Sequence, residues 1–367
     1  MSRVVVVGGG YGGAAVAKAL DEDVDVVLVE PKDAFVHAAG SLRALVRPDW
    51  AHNIFFPYDR LLSRGRVVRD RAASVEPDGV TSASGERIAA DYVVPATGSG
   101  YPYPAKTDTD SSAEALERLH ATHKELADAP RVLVVGAGPV GLELAGEVKA
   151  VWPDKRVTVV DPAGQLVPGF EPALREALHR RLDALDIDLR LGTALTEEPP
   201  TGPAQGGTFT VGTTGGPITA DIWFRCHGVR VHGGFLGDAL ATALTPQGRV
   251  GVTEALTVEG HERVYAVGDI TDLAEAKMAG YALQHAEVVA KNIIAQVRGE
   301  RPAATYRPSP VPSILLPLGP DAGWASSPPR TARRCCRRRP SPGTRARTCS
   351  PAGSSSCSVW TVSPDPR

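Results

Sequence analysis

Two glycine triplets are the residues whose types and spacing best suit chemistry. Gly8, Gly10 and Gly13 follow the run Val4-Val5-Val6-Val7, with Tyr11 and Gly12 in the same turn. Gly136, Gly138 and Gly141 follow Val132-Leu133-Val134-Val135. After an apolar run, G-x-G-x-x-G spacing suits a phosphate. The first glycine permits a tight turn off a strand, and the second lets the backbone approach a pyrophosphate. The third lets a helix pack closely, leaving its N-terminus facing the anion. Each triplet is followed by a second β-branched run ending in an acid, Glu30 in the first case and Asp161 in the second. A carboxylate there accepts hydrogen bonds from ribose hydroxyls. A glycine turn in a doubly wound domain that binds nothing is the plainer alternative, and the flanking acids weigh against it.

The elements that must position these residues form an internal repeat. Strand, glycine turn, Ala-rich helix and acid-ended strand occur once in 3–30 and again in 131–161. Two copies imply an α/β fold with two Rossmann-like, doubly wound domains. Helices are expected at 112–127, 171–185 and 274–297, and a short one within 33–47 carrying His37 and Arg43. Short β pieces are expected at 67–75, 79–88, 208–211, 222–226 and 314–318, with strands at 91–98 and 263–269. Gly299 and Pro302 end the long helix.

Composition bounds the rest. The chain has 367 residues, 43% hydrophobic and 22% charged, ordinary for a globular protein. No apolar run approaches the roughly 20 residues of a membrane span. Met1-Ser2-Arg3 leads into the first strand without a signal-peptide pattern, and residue 2 is not Gly, so a cytoplasmic location is expected. The net charge of −2 is unevenly divided. Residues 324–367 carry nine arginines and one acid, leaving −10 for 1–323. Only Cys226 lies outside that tail, so a disulfide framework is not expected in the body, and no metal site is read from it.

Both triplets, the Ala96-Thr97-Gly98 turn and the late Tyr265-Ala266-Val267-Gly268-Asp269 together resemble the two-dinucleotide-binding flavoprotein reductases. Within that group the chain is most similar to the ferroptosis-suppressor and apoptosis-inducing-factor-like NAD(P)H:quinone oxidoreductases, relatives of type II NADH dehydrogenases. The resemblance covers about 1–323. It includes Asp33-Ala34-Phe35-Val36-His37, Ala39-Gly40-Ser41-Leu42-Arg43-Ala44, Cys226-His227-Gly228-Val229-Arg230 and Ala276-Lys277-Met278-Ala279.

The resemblance implies FAD in a domain of 1–107 and 251–305, interrupted by an inserted NAD(P)H domain at 108–250. Gly8, Gly10, Tyr11, Gly12 and Gly13 would hold the FAD pyrophosphate, Glu30 its ribose, and Asp269 its ribitol. Arg43 would reach FAD phosphates or ribose, Ala72 would meet the adenine, and Thr97 and Gly98 would line the same site. Gly136, Gly138 and Gly141 would carry the second pyrophosphate. An acid at Asp161 favours NADH over NADPH, because it repels a 2′-phosphate. Glu143 would place the nicotinamide over the flavin, and Lys277 would stabilise charge on the reduced ring. Hydride would pass from NADH to the flavin, and electrons from there to a quinone or other small acceptor. The setting is the cytoplasm, with peripheral contact at the inner face of the membrane left open, and nucleic acid is not an expected partner. His227 stands where relatives commonly carry Thr, as a proton donor or a turn residue. His285 reads as packing or the wall of a quinone pocket. No Cys-x-x-Cys flanks the first triplet, against disulfide reductases. A ferredoxin- or rubredoxin-type reductase, and an impaired redox sensor, stay open as alternatives.

Residues 306–323 read as the start of a truncated C-terminal region, the rest of that domain being lost. The tail 324–367 has no Leu, Ile, Phe or Met and cannot supply a core. GC-rich codons for Trp324-Ala325-Ser326-Ser327-Pro328, read one frame over, permit Val-Gly-Gln-Leu-Pro, close to what relatives carry. A frameshifted, disordered tail is therefore expected. A basic tail for nucleic acid or acidic lipid is the alternative.

Overall fold

The computed structural model describes residues 1–231, 233–310 and 313–319, with the backbone of the strands Gly323–Ser326 and Ser358–Trp360. Two parallel four-stranded sheets repeat one topology. In the first, Arg66–Val68, Asp25–Val29, Arg3–Val7 and Tyr92–Pro95 lie side by side in that order. In the second, Ile187–Leu191, Arg156–Asp161, Arg131–Val135 and Ile222–Arg225 do the same. The fold is α/β with two Rossmann-like units, as the sequence repeat implies. The central strands read as unbroken β-branched runs because helices and loops cover both faces, and Val4 to Val7 are all buried.

The helices are α1 (Tyr11–Leu20), α2 (Ser41–Val46), α3 (Ser112–Asp128), α4 (Pro139–Val151), α5 (Pro172–Ala184), the single turn α6 (Asp238–Ala241) and α7 (Ala279–Val297). Helices α1 and α4 follow the two glycine turns, and both turns are built alike. Gly8 has φ +102° and Gly136 φ +115°, a left-handed region that L side chains rarely adopt. A Cβ on Gly13 would lie 1.8 Å from the Gly8 carbonyl oxygen, and one on Gly141 would lie 1.9 Å from that of Gly136.

After the second sheet the chain returns to the first. Val264 bridges Val93 in parallel, Tyr265 N donates to Val93 O, and Val267 N donates to Pro95 O. The 263–269 run is a bridge along the sheet rather than the regular strand expected. Gly268, at φ +77°, turns the chain into the 3-10 turn Gly268–Ile270 instead. The long helix starts at Ala279, five residues later than expected. Met278 is extended, and the Lys277 ammonium donates to the carbonyls of Thr271 (3.0 Å) and Leu273 (2.8 Å), which fixes the preceding segment as a loop.

Two clusters join these parts. Val16, Ala17 and Leu20 of α1 pack with Val289, Ala290 and Ile293 of α7. Helix α2 leaves the first unit and buries Leu42, Ala44 and Leu45 in one cluster with Leu142, Ala145 and Val148 of α4. Leu316 and Leu318 close that cluster. The strand Ile314–Pro317 pairs antiparallel with Gly323–Ser326, which pairs with Ser358–Trp360. The expectation of a wholly unstructured tail is corrected at these residues. Sheet pairing uses backbone N–H and C=O groups, so a segment without Leu or Ile joins an open edge. Residues 327–357 and 361–367, with the four tail cysteines, lie outside the described residues. Among those described, no helix is long and apolar enough to cross a membrane.

Gly13→Ala should force the strand and helix of the first unit apart, at a cost of about 1–3 kcal/mol or more for overpacking. Gly10→Ala, which meets nothing within 4 Å, serves as the control. Denaturant melts of both variants check this; equal midpoints would contradict it.

Candidate functional site

The middle glycine of each triplet opens onto free space. An added Cβ at Gly10 or Gly138 meets nothing within 4 Å. Both are extended N-cap residues, of α1 and α4, and neither helix has a side-chain cap. Among the described α-helices α3 alone has a side-chain cap, Ser111 Oγ accepting from Glu114 N, so the glycine turn and not the missing cap sets α1 and α4 apart. The first-turn N–H groups of α1 and α4 have no partner within the helix and gather positive potential. An open cradle with uncapped donors fits a pyrophosphate at both places.

The acid ending each second strand clamps its own turn. Glu30 accepts from Gly9 N through Oε2 (2.5 Å) and from Lys32 N through Oε1 (3.0 Å). Asp161 repeats the pattern, accepting from Ala137 N through Oδ2 (2.7 Å) and from Ala163 N through Oδ1 (2.8 Å). An ionised carboxylate has about four lone-pair sites. Each acid can therefore hold its turn and still accept from a ribose. Tyr58 braces the first turn by donating to Gly9 O at 2.7 Å. Burial, with the charges of Glu30 and Asp33, pushes its phenol well above the usual range, so it stays a donor. Beside Glu30 a cavity of about 320 Å³ is lined by Lys32, Asp33, Tyr58, Leu62, Val67 and Arg69 among others. Ala72, expected at the adenine, sits half-buried in the strand Ala72–Glu76 and does not line it. Tyr11 turns its hydroxyl to His37 Nδ1 (3.0 Å) and accepts from Ala39 N.

Thr97 and Gly98 lie against the first turn; a Cβ on Gly8 would come within 2.9 Å of the Thr97 Cα. The next residue, Ser99, donates to Asp269 Oδ2 at 2.5 Å. Lys106 Nζ lies 3.7 Å from the same oxygen and donates to Ser99 O at 2.6 Å. Burial lowers the Lys106 ammonium, and Asp269 opposes that shift. Asp269 is thus brought to the end of the first sheet beside Gly8, Thr97 and Gly98. Ser99 and Lys106 were not singled out from the sequence. Ser99's one signal is its place directly after Ala96-Thr97-Gly98.

Two residues expected near the cofactor have partners within the protein. Arg43 donates through Nε (3.0 Å) and Nη2 (2.7 Å) to Glu147 Oε1 of α4, a carboxylate only 4% exposed. A buried carboxylate needs such a partner, and α2 reaches it by packing on α4. Lys277 is held on the carbonyls of Thr271 and Leu273.

Glu143, one turn before Glu147, has its carboxyl pushed up to about 8. Burial is the larger cause, the Glu147 charge adds to it, and Arg43 opposes it. At pH 7 Glu143 is a neutral acid on the helix that follows the second turn. A carboxyl whose pKa is higher folded than unfolded binds more protons in the native state. Stability then falls as pH rises from about 4.5 through about 8. Glu143→Gln should flatten that fall and make the protein more stable than the unmodified chain at pH 9. Thermal melts from pH 5 to 9 check it; parallel curves would contradict the neutral acid.

Residues 2–290 match the family model described as pyridine nucleotide-disulphide oxidoreductase. The chain is 33% identical over 331 residues to ferroptosis suppressor protein 1 of Xenopus tropicalis, covering 88% of this chain and 87% of the relative. It is 30% identical over 343 residues to apoptosis-inducing factor homolog B of Dictyostelium discoideum, covering 88% of each. Among solved structures, NDH2 of Plasmodium falciparum in complex with NADH superposes with a TM-score of 0.68 at 13% identity, covering 88% and 89% of the two chains. Sulfide:quinone oxidoreductase of Aquifex aeolicus gives 0.68 at 20% identity, covering 89% and 83%. At such identities the structures attest the fold. With two repeated glycine turns, two clamping acids and this match over most of its length, the chain belongs to the pyridine nucleotide-disulphide oxidoreductase family.

Proposed function

We propose that the protein is an FAD-dependent oxidoreductase that draws electrons from NADH and delivers them to a quinone. FAD is assigned to 1–107 with 251–305, and NADH to 108–250. One observation carries this reading: a single chain holds two glycine turns that open onto free space at a helix N-terminus, each clamped by an acid. The likeness to ferroptosis suppressor protein 1 supports it. Despite the family's description, thiol chemistry has no support among the described residues. Cys226 is the one cysteine there, and burial pushes its thiol up to about 12.

FAD held in its domain would supply the two-electron chemistry between nicotinamide and quinone. The chain binds, orients and supplies charge. The N-termini of α1 and α4 hold the two pyrophosphates, and Glu30 and Asp161 accept from the riboses. Asp269, fixed by Ser99 and Lys106, accepts from the ribitol hydroxyls. Glu143 orients the nicotinamide as a neutral acid, able to donate a hydrogen bond without adding charge. Lys277 adds positive charge near Asp269 while tethered to its loop. Work in the cytoplasm, meeting quinone at the inner membrane face, agrees with the apolar nature of that acceptor. The exposed Leu283 and Leu315 are available for such contact.

Gly10→Val should fill the first cradle, so the purified variant should keep its fold and lose its flavin absorbance. Undiminished absorbance would remove FAD from this site. NADH should be preferred to NADPH in kcat/KM with a quinone analogue, and Asp161→Ala should narrow the preference. A higher kcat/KM for NADPH in the unmodified protein would reverse the assignment.

A further inference from the structure

A buried chain of three titratable groups lies behind Asp269 and has no place in the roles above. His285, on α7, is 1% exposed. Its Nδ1 accepts from the backbone N–H of Gly268 at 3.0 Å. Its Nε2 faces Glu275 Oε1 at 2.9 Å, without the alignment of a hydrogen bond. Tyr306 donates to the other oxygen of Glu275 and sets its ring edge on His285, centroids 4.3 Å apart. Tyr306 is itself anchored, its N–H donating to Glu254 O at 2.7 Å.

The tautomer follows from the partners. A backbone N–H can only donate, so Nδ1 must be the bare nitrogen and the ring proton must sit on Nε2, facing the carboxylate. A proton on Nδ1 would meet the Gly268 N–H head-on. Burial raises the Glu275 carboxyl, but its contacts with His285 and Tyr306 outweigh that and keep it below the usual range. Lys277 and Asp269, Asp272 and Arg249 are the other charges near this loop. Glu275 therefore supplies a fixed negative charge that favours the proton on Nε2.

The chain also ends at a sensitive place. Gly268 sits at φ +77° and starts the 3-10 turn that carries Asp269. Its carbonyl is occupied by Thr271 N and Oγ1. Its N–H is held by an imidazole rather than by a neighbouring carbonyl. Three separated segments thus converge on one peptide: the loop before α7, α7 itself and the segment after it.

We propose that His285, Glu275 and Tyr306 are positioning residues for the flavin site: His285 holds the Gly268 peptide so that Asp269 faces the cofactor, and Glu275 with Tyr306 fixes the imidazole tautomer that lets it do so. This rests on the assignment of FAD beside Asp269. Loss of the acceptor leaves a buried N–H unpaired and frees the turn.

FAD affinity, followed by flavin fluorescence on reconstituted protein, tests the idea with paired variants. His285→Leu removes the acceptor and should weaken FAD binding about tenfold or more. His285→Asn offers an oxygen near the Nδ1 position and should restore most of that loss. Glu275→Leu should weaken binding, whereas Glu275→Gln, which keeps an oxygen facing the Nε2 edge and can still pair with Tyr306, should bind nearly as the unmodified protein does. Should His285→Leu not fold, the Asn and Gln variants against Glu275→Leu decide the matter. Equal affinity in the Leu and unmodified proteins, or no recovery in Asn and Gln, overturns the positioning chain alone. Unmodified protein that takes up no FAD overturns the proposed function with it.

Discussion

The structure depends first on a close approach that only glycine allows. Helix α1 lies so near the strand before it that a Cβ on Gly13 would enter the Gly8 carbonyl, and Gly141 stands in the same relation to Gly136. The contact sets helix against strand and fixes where the helix begins. Everything that binds an anion follows from that. The Gly10 and Gly138 cradles are open because the chain has already turned away from them. The N–H groups there are uncapped because no side chain is placed to cap them. The acid ending the next strand can clamp the turn only because parallel pairing, Gly8 N to Val29 O and Gly136 N to Val160 O, brings the two strand ends level.

A second constraint joins the halves. Helix α2 belongs to the first unit by sequence but packs its apolar side into the core of the second. That packing carries Arg43 to Glu147, which leaves one guanidinium facing two carboxylates a turn apart. Glu147 takes both of the Arg43 bonds described, while burial, with the Glu147 charge, pushes the Glu143 carboxyl up against the pull of Arg43. The neutrality of Glu143 thus comes from burial and from Glu147 on its own helix, against the opposing charge that α2 brings across from the other unit.

What was legible in the sequence was local. The triplets, the strand-end acids and their repetition are short-range patterns in which each position has one steric or hydrogen-bonding job. They gave both sheets and the two cradles. What was not legible was set by distant partners. The Arg43 partner is one such case, since nothing near Arg43 in sequence announces Glu147, 104 residues on. Ser99 was not singled out because its partner Asp269 lies 170 residues away. Lys277 matched a family position, yet its ammonium is taken by carbonyls of its own loop, a contact that helical spacing did not foresee because the helix starts at Ala279. The 263–269 run has a strand's composition, but Gly268 turns it before a full ladder forms.

The acidic body offers polyanionic dinucleotides few free cations. Residues 1–323 carry −10, so the long-range field does not draw phosphates in. Arg43 is bonded to Glu147, Lys277 to carbonyls of its own loop, and Lys106 faces Asp269. What remains at each cradle is the helix N-terminus, a half-charge of fixed direction that acts over a turn and needs no side chain. Such a site has little reach but strict geometry. A glycine turn held rigid by Glu30 or Asp161 loses little conformational freedom when its anion arrives, so selection rests on shape and hydrogen bonding rather than on net charge. The same logic applies around Asp269, where Ser99 and Lys106 fix the carboxylate from one side and the Gly268 peptide carries it from the other.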